Sequence, residues 1–515
     1  MSHIGIDLGT TFSAAAQIDD TGRPVIINNP NQEQTKGHGN SSGNITPSCI
    51  ALKKDGDGYR VGAGPLKELN GLNPNAIGRF KRDMGTDKIY TLGGKELSPT
   101  DLSGIILHEL KKIAEAEVGN ITSAVVTVPA NFTQEAREAT LTAAKKVGLN
   151  VEHIINEPTA AAFYYAFKSG GDLSGTYAIY DLGGGTFDVT ILKVEGKDIE
   201  VLCSNGVSTL GGDDFDALLV DVVKKKYKEL TGEDLDPSEY TKTEAESDKI
   251  LLSTKAKVLA AGDELGGEIV QVSKKDFEEA ISSLIAQTEM LCESTLDEAN
   301  LKNTDITEVI LAGGSTRIPA VRESIIKTFG KKPLDDENVD EVVALGAALY
   351  AAYKSGGENL NAAQRQSISS INLQEVANYC FGTTAIGTDD STGEQAVRNI
   401  TVIKKNTKIP ASHIKEFFTM ADDQTAVACD VTQSTHEEAD PNYVKILWEG
   451  LLDGLPSGRP AGQQIDVSFS FDDNNVMHCE FTDIASGLNK SVQLSVEAEK
   501  ASDNEDSALD DLLID

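Results

Sequence analysis

Two aspartates stand where this chain could do chemistry. In Ile4-Gly5-Ile6-Asp7-Leu8-Gly9-Thr10-Thr11-Phe12, and again in Ala178-Ile179-Tyr180-Asp181-Leu182-Gly183-Gly184-Gly185-Thr186-Phe187-Asp188, an apolar run delivers an aspartate into a turn of Gly and Thr. Asp7 and Asp181 are 174 positions apart. Glycine lets such a turn tighten until backbone N–H groups converge, and Thr hydroxyls add donors, so each turn suits an anion. Two turns closing from opposite sides would hold a polyphosphate, and the two carboxylates would anchor a hydrated Mg²⁺, which prefers carboxylates plus waters. One Asp-Leu-Gly turn is common and carries no function alone. Its repetition in a long chain points to two related halves facing each other. Neither GxxxxGK(S/T) nor GxGxxG after a strand occurs, so the cradle is not of the P-loop or Rossmann type. A third glycine cluster, Leu311-Ala312-Gly313-Gly314-Ser315-Thr316-Arg317-Ile318-Pro319, would let a flat adenine or ribose approach the backbone, with Arg317 stacked on the base. An ordinary strand-to-helix turn explains the same residues.

Such turns need rigid elements to aim them. Val125–Pro129 reads as a buried strand ended by proline, and Thr133 as the cap of a helix through Lys146, with Gly148 at the left-handed position beyond it. A strand, Val151 to Ile155, follows at once. Ser98-Pro99-Thr100-Asp101 is a helix start, and Leu102, Ile105, Ile106, Leu110 and Ile113 form one apolar stripe. This alternation predicts an α/β domain with a largely covered sheet over residues 1–355. Residues 354–370 are polar and read as a linker, placed at 356–376 as a whole. Beyond it the period becomes two: Ile465, Val467, Phe469 and Phe471 alternate with polar partners, as do Val492, Leu494 and Val496, with Asp472–Asn475 as a turn. That predicts an all-β module at 377–498. The stretch 499–515 is an acidic tail, too short and too charged to fold alone.

Composition narrows the function classes. The 515 residues carry 46 Lys+Arg against 81 Asp+Glu, a net charge of −35, which makes nucleic acid a poor direct partner. Residues 372–515 hold 26 acidic and 9 basic residues. That suits basic partners, and equally a solvated acidic surface. With 39% hydrophobic residues the chain is expected to be globular, and no apolar run approaches a membrane span. The N-terminus lacks a signal-peptide pattern. Six cysteines without a CxxC pair read as reduced thiols, which predicts a cytoplasmic protein, and the histidines lack metal-ligand spacing.

The segments IGIDLGTTFS (4–13), VPANFT (128–133), INEPTAAAF (155–163), YDLGGGTFDVTI (180–191), TLGGDDFD (209–216), LAGGSTRIPAV (311–321) and DEVVALGAALYA (340–351) closely resemble the seventy-kilodalton heat-shock chaperones of the DnaK type, within the actin-like ATPase superfamily. KNTKIP (405–410), SGRP (457–460) and IDVSFSFD (465–472) extend the resemblance into the β-module. It implies an actin-like ATPase fold of two duplicated lobes followed by an all-β substrate-binding sandwich. It also implies slow hydrolysis of ATP to ADP with Mg²⁺, a K⁺ ion being a further candidate.

By resemblance, Asp7, Gly9, Thr10, Thr11 and Phe12 form the first phosphate loop, and Asp181, Gly183, Gly184, Gly185 and Thr186 the second. Lys81 faces the γ-phosphate. Glu157, Asp181 and Asp188 position Mg²⁺ and the attacking water, with Thr186 beside that water; Asp7 and Asp181 hold the metal through water. Gly212, Glu246, Lys249, Ser253, Gly313, Gly314, Ser315, Arg317 and Asp340 close over the adenosine. In the β-module, Thr383, Ile386, Phe418, Val427, Cys429 and Val476 match a side-chain pocket that grips an extended peptide by β-augmentation. Ile386 and Ala421 would arch over it. As bare residues these are equally plausible core.

Three departures shape the expectation. The chain stops about where the family begins a long helical lid, so bound peptide should exchange quickly. The family's leucine-rich linker is matched by Ile371-Asn372-Leu373-Gln374-Glu375-Val376, whose docking would bury less apolar surface, which argues against tight coupling of ATP state to peptide affinity. The arginine that engages J-domain co-chaperones is matched by His153, and a tyrosine by Asn131, although Pro129 and Arg137 are present. An insertion, 31–44, reads as a surface loop. The expected function is an ATP-dependent chaperone for extended segments of unfolded or nascent polypeptide, with a J-domain co-chaperone and a nucleotide exchange factor as candidate partners. The alternative is an ATP-binding co-chaperone or scaffold whose β-module serves one dedicated partner with little hydrolysis.

Overall fold

The computed structural model describes residues 2–29, 44–53, 58–170, 172–260, 270–334, 339–369, 371–388, 395–472 and 476–494, with Glu152 described by its backbone alone. Most of the 31–44 insertion, residues 473–475 of the expected turn, Val496 and the 499–515 tail lie outside them. The chain forms two compact units, one reaching Asn372 and one beginning at Leu373.

The first unit is built twice on one plan. In one half, β1 (Ser2–Asp7) pairs in antiparallel fashion with β2 (Phe12–Ile18), which pairs with β3 (Pro24–Ile26). On its other side β1 runs parallel to β4 (Ile121–Val128), which is followed by β5 (Val151–Asn156). In the other half, β6 (Ser174–Leu182) pairs antiparallel with β7 (Phe187–Glu195), β7 with β8 (Asp198–Val207), and β6 runs parallel to β9 (Glu308–Ala312). The halves therefore share a strand order, and Asp7 and Asp181 fall at or next to the ends of equivalent strands. Ligands of open α/β sheets gather outside such carboxyl ends.

Helices cover these sheets where their caps start them. In α1 (Pro99–Val118) the Ser98 hydroxyl accepts from the Asp101 N–H at 3.1 Å and the Asp101 carboxylate accepts from the Ser98 N–H at 2.9 Å, while the whole 102–113 stripe is buried. Thr133 caps α2 (Gln134–Lys146), and Gly148 takes φ +62° beyond it. α3 (Glu157–Lys168) crosses a later helix, Val342–Lys354, which is buried from Val342 through Ala352. Close approach there requires glycine: a Cβ on Gly346 would lie 1.8 Å from the Ala160 carbonyl oxygen, and one on Gly5 2.0 Å from the Ala348 nitrogen.

The polar stretch 354–370 differs from the expected linker. Ala362–Ile368 is helical, started by Asn361, whose side chain accepts from the Gln364 N–H at 2.9 Å. The Gln364 amide donates to the carbonyls of Ile18 (3.0 Å) and Asp19 (3.2 Å). Reciprocal capping and side-chain bonds to a neighbouring turn supply what apolar periodicity lacks, and composition alone registers only polarity.

The second unit is all-β. One sheet has the order β11 (Gln395–Ile403), β10 (Cys380–Thr388), β13 (Ala426–Ser434), β14 (Lys445–Asp453); the other has β12 (Ala411–Phe418), β15 (Gln464–Phe471), β16 (Met477–Asp483), β17 (Asn489–Leu494). Phe381, Ile403, Val431 and Leu452 of the first share one core with Ile465, Val467, Phe469, Phe471, Met477 and Phe481 of the second, so the module is a sandwich. The alternation of 465–471 turns one side of β15 wholly inward. Among the described residues, no helix is long and apolar enough to cross a membrane, and all six cysteines are free and buried.

Candidate nucleotide site

The two Gly/Thr turns interleave. A Cβ on Gly184 would lie 1.8 Å from the Thr11 Oγ1, and one on Gly185 2.7 Å from the Thr10 Oγ1. A side chain at either position would wedge the turns apart. The second turn is closed by the Gly183 N–H donating to the Thr186 carbonyl at 3.1 Å. It is braced from behind, where the Gly212 N–H donates to the Gly183 carbonyl (3.0 Å), the Asp213 N–H to the Gly184 carbonyl (2.8 Å) and the Ser315 hydroxyl to the Gly183 carbonyl (2.9 Å). Gly313, at φ +80°, brings its Cα so near Leu182 that a Cβ would sit 2.4 Å from the Leu182 carbonyl oxygen. The third glycine cluster thus packs against the second turn.

Lys81 lies in a short 3₁₀ turn, Phe80–Asp83, is buried, and places its ammonium 2.6 Å from the Glu157 carboxylate, 5.6 Å from the centre of the Phe132 ring. Asp188 is the ladder partner of Asp181. It is 1% exposed and accepts the Asn131 N–H at 3.2 Å, so the VPANFT segment is tied to the cluster through its backbone. Arg137 donates to the Asn156 side chain at 2.7 Å and to the Ala130 carbonyl at 3.1 Å, holding that segment from the other side. The Asp7 carboxylate accepts from the Thr127 hydroxyl at 3.0 Å.

Burial and mutual repulsion push these acids up. Desolvation, then the charge of Glu157, raises Asp7 to about 7, against the pull of Lys81 and the Thr127 bond. Asp181 stands well above the usual carboxylate value through burial and the charges of Glu157, Asp188 and Asp7. Burial and Glu157 raise Asp188 to about 8. Four carboxylates therefore face Lys81, and such a group asks for a further cation. A hydrated Mg²⁺ fits that demand. Among the described residues no set of three or more His, Cys, Asp or Glu side chains is arranged to ligate a metal directly. Asp188 Oδ2 and Thr11 Oγ1 are buried without a hydrogen-bond partner among the described residues, as donor and acceptor groups of a ligand cradle would be.

Beside the turns lies a cavity of about 410 Å³, lined by Thr11, Phe12, Gly184, Gly212, Glu246, Lys249, Ser253, Gly314, Ser315, Arg317 and Asp340 from the expected set. Glu246, Lys249 and Ser253 come from the helix Lys242–Leu252 and its C-cap. The Lys249 ammonium is 2.8 Å from the Asp216 carboxylate and donates to the Gly212 carbonyl at 3.1 Å; Arg317 pairs with Asp340 at 2.7 Å. Sequence reasoning missed Ile250, Ile318 and Asp213 in the lining, and Asp216 behind it. Helical spacing could have found Ile250, which is four residues from Glu246 and three from Ser253 and so shares their face. Asp213 pairs with Arg79 at 2.6 Å, a contact across 134 positions that no local pattern signals.

The residues expected to form a peptide pocket fall into different environments. Thr383 and Cys429 are buried, Val427 and Val476 half-buried, and Ala421, Ile386 and Phe418 exposed, the last two at 53% and 54%. On β12 it is the neighbour Phe417 that packs against the sandwich core, because adjacent strand residues take opposite faces. Met420, 54% exposed, stands beside Ala421.

The described fold is thus a duplicated α/β unit with paired Gly/Thr turns, followed by a β-sandwich. A family model described as Hsp70 protein matches residues 87–512. The chain is also 37% identical over 494 residues to the chaperone protein DnaK of Mycoplasma mobile, covering 93% of this chain and 76% of that one. The chain belongs to the Hsp70 family, whose members are ATP-binding ATPases acting on polypeptides.

Proposed function

We propose that the first unit hydrolyses ATP slowly at the interleaved turns, and that the second holds an extended stretch of unfolded or nascent polypeptide. The observation that carries the reading is the buried Lys81–Glu157 ion pair at 2.6 Å beside the Asp7–Asp181–Asp188 cluster. A lysine so placed can turn to a γ-phosphate and stabilise the charge spread over the transferring group. Glu157 holds it until then. Asp188 and Glu157 are suited to orient the attacking water, and Thr186 to hold it in line. Backbone N–H groups of 10–11 and 184–186 would grip the phosphates, while Lys249, Ser315 and Arg317 enclose the adenosine. Mg²⁺, held through water by Asp7 and Asp181, would neutralise charge on the triphosphate.

Peptide binding is supported by a strand edge that is uncovered among the described residues. On one side β10 pairs with β11 out to Thr388↔Gln395, but on the other its pairing with β13 stops at Gly382↔Thr432. Beyond Gly382 that edge can accept an added strand beside the exposed Ile386. Cytoplasmic location, a J-domain co-chaperone and an exchange factor belong to the same reading. Single-turnover ATP hydrolysis with and without an unfolded peptide, together with peptide dissociation in ATP and in ADP, tests it. Hydrolysis stimulated by peptide, with faster release in ATP, is expected. Absent hydrolysis, or hydrolysis blind to peptide, would select the scaffold alternative instead.

A further inference from the structure

Where the β10–β13 ladder ends, one side chain takes its place. Asp430 of β13 accepts the Thr383 hydroxyl at 2.7 Å and the Thr384 backbone N–H at 2.6 Å on Oδ1, and its Oδ2 accepts the Thr384 hydroxyl. The Thr384 N–H is the first main-chain donor past the last registered pair, Gly382↔Thr432. A carboxylate thus stands in for the missing strand partner, two residues before Ile386. Local preference alone would not put aspartate there. Asp is depleted in strands, and Asp430 lies directly opposite Glu449 in the β13–β14 ladder, a like-charge pairing that is unfavourable in itself. A residue kept against two local rules, with its bonds aimed at one short strand segment, marks a positioning role.

We propose that Asp430 is the residue that pins the free edge of β10 in place and so sets how long a peptide added to that edge stays bound. This rests on the reading of Thr383, Ile386, Phe418, Val427, Cys429 and Val476 as the peptide site. With Thr383 and Thr384 tied down, the backbone around Ile386 keeps the extended geometry that an added strand needs, and ordering it adds nothing to the cost of binding. The first donor of the edge is occupied, so an added strand begins its pairing after Thr384. Without the carboxylate that stretch of β10 is held from the β11 side alone.

The test uses the full chain and a fluorescein-labelled heptapeptide with a leucine centre, followed by stopped-flow in ADP. Asp430→Ala is expected to speed dissociation about tenfold with association changed less than twofold. Asp430→Asn, whose amide oxygen still accepts two bonds, should recover most of the wild-type rate. Dissociation of Asp430→Ala within twofold of wild type, at an unchanged thermal midpoint of the β-unit, overturns the proposal. If Asp430→Ala lowers that midpoint, the pair Asp430→Asn and Thr384→Val decides: dissociation two- to threefold faster in a folded variant supports pinning, and unchanged rates in both overturn it. A wild-type chain that fails to bind the heptapeptide would instead remove the peptide-site reading itself.

Discussion

Around Asp7 and Asp181 the first unit gathers the half-buried Asp7 with three buried carboxylates, a buried lysine and two turns so close that no Cβ fits at their facing glycines. The second unit leaves Ile386 and Phe418 more than half exposed, Ile386 on β10, whose pairing with β13 among the described residues stops at Gly382, and Phe418 at the end of β12. The first arrangement is preorganised for one ligand shape, with donors and charges fixed before binding. The second is generic, offering backbone groups and greasy surface that many sequences could meet. On the proposed reading, the contrast teaches where specificity is spent: on the polyphosphate, whose geometry never varies, and not on the polypeptide, whose sequence does.

Substitutions can break or sharpen that contrast. Gly184→Val should be the most severe, since its side chain collides with the Thr11 hydroxyl and separates the turns. Nucleotide hydrolysis should fall by about 10³-fold or more, with ATP affinity lost alongside it, as positioning losses of this kind do. Calorimetric titration showing wild-type ATP binding would contradict the interleaved geometry.

Lys81→Ala should lower the chemical step about 10²-fold in single-turnover kinetics while ATP affinity stays within about fivefold. It also leaves Glu157 buried without its cation, so the nucleotide-free protein should lose about 3 kcal/mol in denaturant unfolding. Loss of ATP binding with the chemical step intact would remove Lys81 from its proposed role.

In the β-unit, effects should be smaller and should divide by strand face. Phe418→Ala, from an exposed position, should weaken heptapeptide binding about threefold with stability changed by less than about 0.5 kcal/mol. Phe417→Ala, from the face on the core, should cost about 2 kcal/mol of stability. The reverse pattern would mean that the inner and outer faces of β12 have been misassigned.

A further signal is in pH. Because Asp7 and Asp188 are raised to about 7 and about 8, the native state holds protons that the unfolded chain has already lost. The stability this contributes is fully present below the ordinary carboxylate value and is gone once pH has passed about 8. The thermal midpoint of the chelator-treated, nucleotide-free protein should therefore fall as pH rises from 5 to 8. Mg²⁺ and ADP, which favour the ionised acids, should flatten the slope. An upward slope would mean that the native state holds these acids ionised, below the ordinary carboxylate value.

Much of the first unit was legible in the chain. Repeated Asp-Leu-Gly turns announced the duplication, and capping residues such as Ser98 and Thr133 located helices, because a turn or cap is decided by residues within a few positions of one another. Polarity misdirected the reading at 362–368, where the bonds of Gln364 to Ile18 and Asp19 span some 345 positions. Ile386 and Cys429 looked alike as apolar strand residues, and only packing separates an exposed edge from a buried core.

The sequence by itself determined the fold class, the two Gly/Thr turns and most of the residues that line the cavity beside them, since these depend on residue types at short, fixed spacing. Tertiary structure alone decided that the turns interleave, that four acids share Lys81, that Asp216 holds Lys249, and that Asp430 replaces a strand partner at the edge of β10. Each of these is an interaction between distant segments, whose strength depends on burial and direction, and neither quantity exists until the chain has folded.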